Sequence, residues 1–492
     1  MNDTLSHGRA PILEALLQHD QERRARFHVP GHKGGHVFDH VGYEIYDSLL
    51  RIDLTELTGL DDLHDPHGII AEAQQLAAGV FHAEDTSFLV NGSTAGNLSM
   101  ILGTLNKGDK VLVQRDGHKS VFHALAMAEV EAVVISPKMS DIFHIPLGLT
   151  LQQVKEAFRL HESIKAVILT TPNYYGVSIQ QLEAIISYAH RHNAAVLVDE
   201  AHGAHFGQHP ALPLSAMKSG ADVSVQSTHK MLSSLTMTSM LHIQGSRIPR
   251  EDIAHYIHSL QSSSPSYPLL ASLDLARLQL QQISEQDWHH YIRATEKLKN
   301  DIHKTERYMV MGLGTQEEGI PVCDPFKLTI QPVFNISGYD LQQELEARSI
   351  DVEMADPYNV LLTLPLVPHE DWSGALLTAL KDIATQFQKK PYRSVRALSG
   401  QDASFLKDMY TDERSTFQMK TYKQHEIESV HIEEAEGRRI GEMMTPYPPG
   451  VPISIPGEVV TRDMLQTIQA LQTAGAYFQG KNRPIQMIRV LR

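Results

Sequence analysis

Apolar residues recur with the spacing of an α-helix in several stretches of the chain. Between residues 69 and 81 they fall at i, i+3, i+4 and i+7, which predicts a helix with one buried face. A second such helix is predicted at residues 179–189, and a short amphipathic helix at residues 12–17. The first helix is defined by Ile69, Ile70, Ala73, Leu76, Ala77, Val80 and Phe81.

Short apolar or β-branched runs alternate with helical stretches over the first half of the chain. Strands that are apolar throughout have to be covered on both faces, and helices between them provide that cover. The alternation therefore predicts a large α/β domain with a mostly parallel sheet. The runs lie at residues 88–90, 111–113, 132–135, 166–169, 195–198, 223–225 and 240–243.

The pattern changes after residue 248. Helices are predicted at residues 251–261 and 269–307, followed by a smaller αβ unit with strands at 327–332 and 360–363. The charged stretch 389–396 is interpreted as a linker, and the Pro/Gly-rich stretch 446–452 as a rigid loop. We therefore expect an N-terminal arm, a large domain, a small αβ domain and a C-terminal domain, at residues 1–65, 66–305, 306–388 and 389–492.

Composition narrows the class of protein. The 492 residues fit about three domains by length alone, and 42% hydrophobic residues with 21% charged residues are ordinary for a folded chain. A formal net charge of −15 argues against a nucleic-acid partner and is compatible with cationic small molecules. The single cysteine, Cys323, excludes an intramolecular disulfide. With no signal-peptide pattern and no apolar run of about 18 residues, we expect a cytoplasmic protein without a membrane partner.

Ligands of open α/β sheets bind at the carboxyl ends of the strands. Three segments that follow predicted strands therefore contain the candidate functional residues. The first, residues 91–97, opens a helix with Gly92, Ser93 and Thr94. Gly92 allows close backbone approach, and the hydroxyl groups lie beside free helix N–H groups, which together suit a phosphate. An ordinary serine or threonine N-cap is the alternative for this segment.

The second and third segments place a carboxylate and a lysine at strand ends. Asp199 follows the strand 195–198, where a helix-capping carboxylate is the alternative to a functional one. Lys230 follows the strand 223–225 among small hydroxyl residues, and it is either a Schiff-base amine or the partner in a buried salt bridge. A phosphate cradle, a carboxylate and a lysine at the end of one sheet are what pyridoxal 5′-phosphate requires, so the combination predicts this cofactor.

The chain resembles fold-type I pyridoxal-phosphate enzymes in the Asp199 and Lys230 segments. Five further motifs, in matching order from about residue 10 to residue 480, resemble the bacterial ornithine/lysine/arginine decarboxylase family. The resemblance is to the short form of that family, without the N-terminal wing domain of larger members and often assigned as biosynthetic arginine decarboxylase. These motifs lie at residues 27–33, 59–64, 91–97, 117–120 and 446–452.

This resemblance implies an aspartate aminotransferase-like large domain, a small αβ domain and a C-terminal α+β domain. It also implies that Lys230 binds the cofactor aldehyde, that Asp199 pairs with the pyridine nitrogen, and that His118 stacks on the ring. Ala201 and His202 would flank the ring and its oxygen. The phosphate would be held by Gly92, Ser93, Thr94, Ser227 and His229, and by the neighbouring subunit through residues 262–265, including Ser263, in a homodimer or higher homo-oligomer.

The implied reaction is decarboxylation of a basic amino acid, L-arginine to agmatine, with lysine or ornithine as alternative substrates. His229 or Lys230 is the candidate proton donor to Cα, and Glu436 and Glu458 are candidates for binding the distal cation of the substrate. An aminotransferase that shares Asp199 and Lys230, or a non-catalytic homologue, is the competing hypothesis.

The chain contains 28 histidines, three of them in one short stretch at His202, His205 and His209. A zinc site would need three or four convergent ligands, and the loop that holds these residues need not bring them together. We therefore expect surface or loop histidines and no metal.

Overall fold

The computed structural model describes residues 8–313, 323–388, 416–447, 450–482 and 484–492. The chain divides into two compact units. Unit one comprises Met1–Thr104, Leu197–Gln208 and Leu214–Ser284, and unit two comprises Leu105–Val196, His209–Pro213 and Glu285–Arg492. No helix in the described part of the chain combines the length and the apolar character that crossing a bilayer requires.

Unit one contains strands that pair in the order β1-β7-β6-β5, with β5 contributing residues 197–199. Strands β5 and β6 are parallel, whereas β7 is antiparallel to both β6 and β1. The strands are β1 (Asp85–Leu89), β5 (Ala195–Asp199), β6 (Val223–Gln226) and β7 (Ser239–Ile243). The helices are α1 (Pro11–Gln21), α2 (His40–Ile52), α3 (Ile69–Phe81), α4 (Gly92–Thr104), α8 (Thr228–Met231), α9 (Arg250–Leu260) and α10 (Tyr267–Gln282).

Unit two contains strands that pair in the order β4-β2-β3-β12, in which β2 is parallel to both β3 and β4 and β12 is antiparallel to β3. These are β2 (Lys110–Gln114), β3 (Glu131–Ile135), β4 (Ile164–Thr170) and β12 (Thr416–Gln418). An antiparallel sheet has the order β10-β11-β9-β8, and β13 pairs with β14. Their bounds are β8 (Tyr308–Val310), β9 (Lys327–Pro332), β10 (Met354–Ala355), β11 (Val360–Thr363), β13 (Ile427–His431) and β14 (Met487–Leu491).

Unit two also contains seven α-helices within its described residues, and two separate apolar cores lie in its later part. One core joins residues between Leu298 and Ala384, and the other joins residues between Ile432 and Val490. The helices are α5 (Lys119–Ala128), α6 (Leu151–Leu160), α7 (Leu182–Arg191), α11 (Glu285–His303), α12 (Gly338–Glu346), α13 (Glu370–Gln388) and α14 (Arg462–Ala474).

All seven predicted strands of the large domain coincide with observed strands, and so do the strands predicted at 327–332 and 360–363. The helix predicted at residues 269–307 is wrong in one respect, because α10 ends at Gln282 and α11 begins at Glu285. Ile283 has extended backbone angles, which end the helix without a proline or glycine to signal the break. The expected linker at 389–396 lies outside the described residues.

Helix α4 packs so closely on its surroundings that two of its residues have to be glycine. A Cβ atom at Gly96 would lie 2.6 Å from Val225 Cγ1, and a Cβ atom at Gly103 would lie 2.6 Å from Ile253 Cα. The contact at Gly103 involves the backbone of α9, so no side-chain movement can relieve it. This packing fixes the start of α4 relative to the end of β6.

We predict that Gly103→Ala destabilises the protein by about 1–3 kcal/mol, because the added methyl group separates α4 from α9. The melting temperature in a thermal unfolding experiment should fall accordingly. Gly79→Ala is the matched control, since Gly79 lies in α3 and a Cβ atom there meets no atom within 4 Å. The control should be neutral or slightly stabilising, and an equal loss of stability in both variants would contradict the close packing.

Candidate functional site

The carboxyl ends of β5 and β6 hold the two charged residues that the sequence singles out. Asp199 is the last residue of β5, and Lys230 lies in α8, the short helix that follows β6. Because these two strands are parallel, with Asp199 paired to Val225, their carboxyl ends meet at one edge of the sheet. The predicted juxtaposition of carboxylate and lysine is therefore present in unit one.

The Asp199 carboxylate is only 2% exposed and is held by two donors. Its Oδ2 atom accepts a hydrogen bond of 2.8 Å from Asn97 Nδ2, and its Oδ1 atom accepts one of 3.2 Å from the Ala201 amide. Burial raises the pKa of Asp199, whereas the Lys230 charge, Asn97 and the Ala201 amide act to lower it. Such a carboxylate is suited to a buried cationic partner.

Lys230 is oriented by a histidine. Its Nζ atom lies 3.0 Å from His202 Nε2, so the ammonium group donates a hydrogen bond to the imidazole. His202 is buried, and it belongs to the segment that directly follows β5. The side chain predicted to flank the cofactor is thus in contact with the predicted Schiff-base lysine.

His229 precedes this lysine and is half-buried. Its Nδ1–H group donates a hydrogen bond of 2.7 Å to the Thr238 carbonyl, which leaves Nε2 as an acceptor in the neutral ring. Burial lowers the pKa of His229, the Thr238 carbonyl opposes that effect, and the charge of Lys230 adds to it. The ring is therefore held neutral beside a cation.

A group of hydroxyls lies at the start of α4. Gly92, with φ of 74°, is the first residue of this helix, and its amide donates a hydrogen bond of 2.8 Å to the Met237 carbonyl. Ser227 Oγ donates a hydrogen bond of 2.7 Å to Ser93 Oγ, and Thr94 is exposed. Ser93 and Thr94 lie inside the first turn, where the amides have no partner within the helix, and this arrangement suits a phosphate group.

His118 belongs to unit two and caps α5. Its Nδ1 atom lies 2.7 Å from Ser120 Oγ and accepts a hydrogen bond from the Ser120 amide, which fixes the ring orientation. The ring faces Gly450 of the Pro/Gly-rich segment, because a Cβ atom on Gly450 would lie 3.3 Å from His118 Cδ2. Two residues of that segment, 448 and 449, lie outside the described residues.

The other predicted site residues differ in their surroundings. Ala201 is buried, whereas Ser263 is exposed in the loop between α9 and α10. Glu436 is exposed in unit two. Glu458 is not a solvated carboxylate, since its side chain is 14% exposed and lies 3.4 Å from Arg115 Nη2.

The clustered histidines lie in the turns that follow β5, as expected of loop residues, but His202, His205 and His209 are all buried and none of the three lies at the surface. One ligand atom each of His209, Glu285 and His289 lie within 4.8 Å of one another. However, His209 Nδ1 accepts a hydrogen bond from the Ala211 amide, which places the proton of the neutral ring on Nε2. Neither ring nitrogen then offers a free lone pair to a metal ion.

Sequence reasoning missed Asn97 as the partner of Asp199 and missed a buried polar chain behind it. Glu200 accepts hydrogen bonds from the Ala216 amide and from Gln226 Nε2, at 2.7 and 2.8 Å. Gln226 Oε1 in turn accepts a hydrogen bond of 3.1 Å from His242 Nε2. Burial raises the pKa of Glu200 to about 8 and lowers that of His242 to about 3. The sequence signal for this chain was a second acidic residue, Glu200, directly after Asp199 at the end of β5.

Comparisons with known proteins agree with this geometry. Residues 10–371 match the model of the Orn/Lys/Arg decarboxylase major domain, and residues 400–490 match the C-terminal domain of the same proteins. An uncharacterized protein of Bacillus subtilis is 40% identical, covering 96% of each chain. An arginine decarboxylase of Bacillus anthracis is 34% identical, covering 99% of this chain and 98% of its own.

A solved structure confirms the predicted fold class. The lysine decarboxylase LdcF of Francisella novicida superposes with a TM-score of 0.82, covering 98% of this chain and 81% of that chain, at 19% sequence identity. The predicted α/β fold with a mostly parallel sheet is therefore shared with a decarboxylase of known structure.

We predict that Glu200 makes the stability of the protein fall as the pH rises. Its pKa in the folded chain, about 8, lies above the unfolded value of 4.5, so the folded state binds the proton more tightly. The contribution of Glu200 to the free energy of unfolding is complete below pH 4.5. It is lost as the pH rises to about 8, at up to about 1.4 kcal/mol per pH unit.

Melting temperatures of Glu200→Gln measured from pH 5 to pH 8 test this slope. In Glu200→Gln the melting temperature should fall less steeply with pH than in the unchanged protein. In the control Glu183→Gln, which changes an exposed residue of α7, the fall should be the same as in the unchanged protein. A slope that is identical in the unchanged protein and in Glu200→Gln would contradict the assignment.

Proposed function

The chain belongs to the family of ornithine, lysine and arginine decarboxylases, and we propose that it uses pyridoxal 5′-phosphate to convert L-arginine to agmatine and carbon dioxide. The observation on which this rests is the pair of Asp199 and Lys230 at one edge of the sheet, beside the hydroxyls of Ser93 and Ser227. Arginine is preferred as substrate because a relative named arginine decarboxylase is 34% identical over nearly all of both chains. Lysine and ornithine are the alternative substrates.

The donor set of unit one fits pyridoxal 5′-phosphate in charge and in chemistry. Ser93, Ser227 and the first amides of α4 supply hydrogen-bond donors for the phosphate. Asp199 supplies a buried negative charge for the protonated pyridine nitrogen, which would compensate the cost of its burial. We also propose that His118 stacks on the ring face and that Gly92, Thr94, Ala201 and His229 complete the cofactor site.

When bound, pyridoxal 5′-phosphate supplies an electron sink for the electron pair that remains on Cα after carbon dioxide leaves. Asp199 would hold the pyridine nitrogen in its protonated form through its buried negative charge. Lys230 would hold the cofactor through its side-chain amine. His202 orients the lysine through the 3.0 Å contact.

We propose that Lys230, rather than His229, donates the proton to Cα. The Nδ1 proton of His229 is engaged with the Thr238 carbonyl, and burial keeps the pKa of this ring low. His229 is therefore a poor acid at neutral pH, whereas the ammonium group of Lys230 has three protons and returns to the same site.

Recognition of the distal cation of the substrate needs a carboxylate with free acceptor atoms. Glu458 is a weak candidate because its Oε2 atom accepts a hydrogen bond of 2.7 Å from the Ile455 amide and faces Arg115. Glu436 is exposed and has both oxygens available for a guanidinium fork. We therefore rank Glu436 above Glu458 for this role.

A homodimer or larger homo-oligomer is supported by a row of exposed apolar side chains in the N-terminal arm. Phe27 is 95% exposed and Ile45 is 70% exposed, which is unusual for residues of this size on a single folded chain. His64 of the same arm contacts the Ser262 carbonyl at 2.8 Å, so the exposed residues 262–264 lie next to the arm. The apolar side chains are Phe27, Val29, Val37, Val41, Ile45, Tyr46 and Leu49.

Two further parts of the proposal concern organisation and location. The separate apolar cores around residues 298–384 and 432–490 support a small domain at 306–388 and a C-terminal domain at 389–492. The single cysteine supports a cytoplasmic location.

We expect carbon dioxide release from L-arginine to exceed release from lysine and ornithine in a panel of the three amino acids, with agmatine as the amine product. Lys230→Ala should lose about 10³-fold or more of this activity, since proton transfer by a positioned group alone contributes 10²–10⁴-fold. Lys218→Ala is the control, because Lys218 is an exposed lysine of the same unit whose ammonium group bonds to the Gly207 carbonyl.

Transfer of the amino group to 2-oxoglutarate without carbon dioxide release would contradict decarboxylation and favour an aminotransferase. Release from lysine or ornithine at a higher kcat/KM than from arginine would keep the reaction and overturn the substrate.

We also predict that Ile45→Glu dissociates the oligomer, because it places a charge in the apolar surface of the arm. Sedimentation at several protein concentrations should show the dissociation constant of the oligomer raised at least about tenfold. Leu160→Glu, at an exposed leucine at the end of α6, is the matched control. Equal dissociation constants for Ile45→Glu and the unchanged chain would contradict the arm as an interface.

A further inference from the structure

We propose that Arg115 is a positioning residue that clamps residues 450–458 of the C-terminal segment against the loop that holds His118. Arg115 directly follows β2, and its side chain is 8% exposed. All the residues of this clamp belong to unit two. The proposal rests on the proposed function, in which His118 stacks on the cofactor.

The guanidinium group makes three contacts with the C-terminal segment. Nη1 donates a hydrogen bond of 2.8 Å to the Pro452 carbonyl, and Nη2 donates one to the Ile453 carbonyl. Nη2 also faces the Glu458 carboxylate at 3.4 Å. A planar fork with several donors can satisfy neighbouring carbonyls at once, which the single ammonium group of a lysine cannot do in the same geometry.

Glu458 balances the buried positive charge and shapes the segment. Its Oε2 atom accepts a hydrogen bond of 2.7 Å from the Ile455 amide, three residues earlier, so the carboxylate closes a turn of residues 455–458. Burial raises the pKa of Glu458, and the charge of Arg115 acts to lower it. Removal of either partner would leave the other charge buried without compensation, which is strongly unfavourable.

A second set of contacts holds the opposite end of the segment. The Lys119 amide donates a hydrogen bond of 3.2 Å to the Gly450 carbonyl, and Lys119 Nζ donates one of 2.6 Å to Gln479 Oε1. The same ammonium group lies 5.5 Å from the centre of the Tyr447 ring. Arg115 and Lys119, which lie before and after His118 in the chain, therefore both bind the C-terminal segment.

Gly450 transmits this attachment to the His118 ring. It has φ of 92°, and a Cβ atom there would lie 3.3 Å from His118 Cδ2 and 3.6 Å from Tyr174 Oη. The backbone at Gly450 thus packs against the ring of His118. A segment released from Arg115 would keep the Lys119 contact but lose the second attachment that holds Gly450 against the His118 ring.

The segment is also anchored in the C-terminal core, so it does not follow the His118 loop passively. The Ile453 amide donates a hydrogen bond of 2.7 Å to the Met444 carbonyl, and Ile453 and Met444 both belong to that core. Arg115 consequently joins the folded C-terminal core to the His118 loop.

Hydrogen exchange and cofactor titration on Arg115→Lys, prepared with pyridoxal 5′-phosphate, test this proposal. We expect the amides of Lys119 and Ile455 to exchange at least tenfold faster than in the unchanged enzyme, and the Kd for the cofactor to rise about tenfold. Arg348→Lys is the matched control, since Arg348 pairs with Glu344 on α12 at 2.7 Å, and it should change neither quantity.

Two further variants keep the proposal falsifiable if Arg115→Lys does not fold. Glu458→Gln should accelerate exchange at Ile455 by a smaller factor. Gly450→Ala should weaken cofactor binding without faster exchange at Ile455, because the added methyl group presses on His118 while the Arg115 contacts persist.

Unchanged exchange in both Arg115→Lys and Glu458→Gln overturns the clamp, whatever the activity. Faster exchange with an unchanged Kd overturns its action through His118. An unchanged chain that binds no pyridoxal 5′-phosphate overturns the proposed function instead, and the exchange rates alone then decide the clamp.

Discussion

The attraction between Asp199 and Lys230 is the interaction on which the site depends. A carboxylate that is 2% exposed is unfavourable on its own, and the nearby lysine charge, Asn97 and the Ala201 amide offset part of that cost. The parallel pairing of β5 and β6 places the two charges at one edge, and the close approach of α4 to β6 at Gly96 brings the hydroxyls that we propose to bind phosphate there as well. Fold and chemistry are therefore linked through a small number of strand ends.

Most of the fold followed from the sequence because the strands of the large domain are buried on both faces. Most of these strands read as short apolar runs, interrupted in β6 by Ser224 and in β7 by His242, and this pattern is distinct from the helical spacing of residues 69–81. The break between α10 and α11 was not predicted, because the backbone at Ile283 turns without a glycine or proline. Ser284, followed by Glu285 and Asp287 in the first turn of α11, is the local pattern that marks the start of the second helix.

The charged residues of the site were predicted better than their neighbours. Asp199 stands out as a charge directly after an apolar run, and Lys230 as a charge among small hydroxyl residues that follow a strand. Asn97 has an ordinary polar side chain inside a helix. The burial of Glu458 and of the clustered histidines was harder to predict from the sequence. Their burial depends on contacts with residues far away in sequence, such as Arg115, 343 positions before Glu458.

Reduction of the cofactor-loaded enzyme with borohydride, followed by peptide mass mapping, is the most direct test of this account. The reagent fixes the cofactor to whichever amine holds its aldehyde. We predict that the added mass is found on the peptide that contains Lys230, and that Lys230→Ala shows no such addition. A stable addition on a different lysine, or a protein that stays colourless and unmodified with excess cofactor, would contradict the central claim.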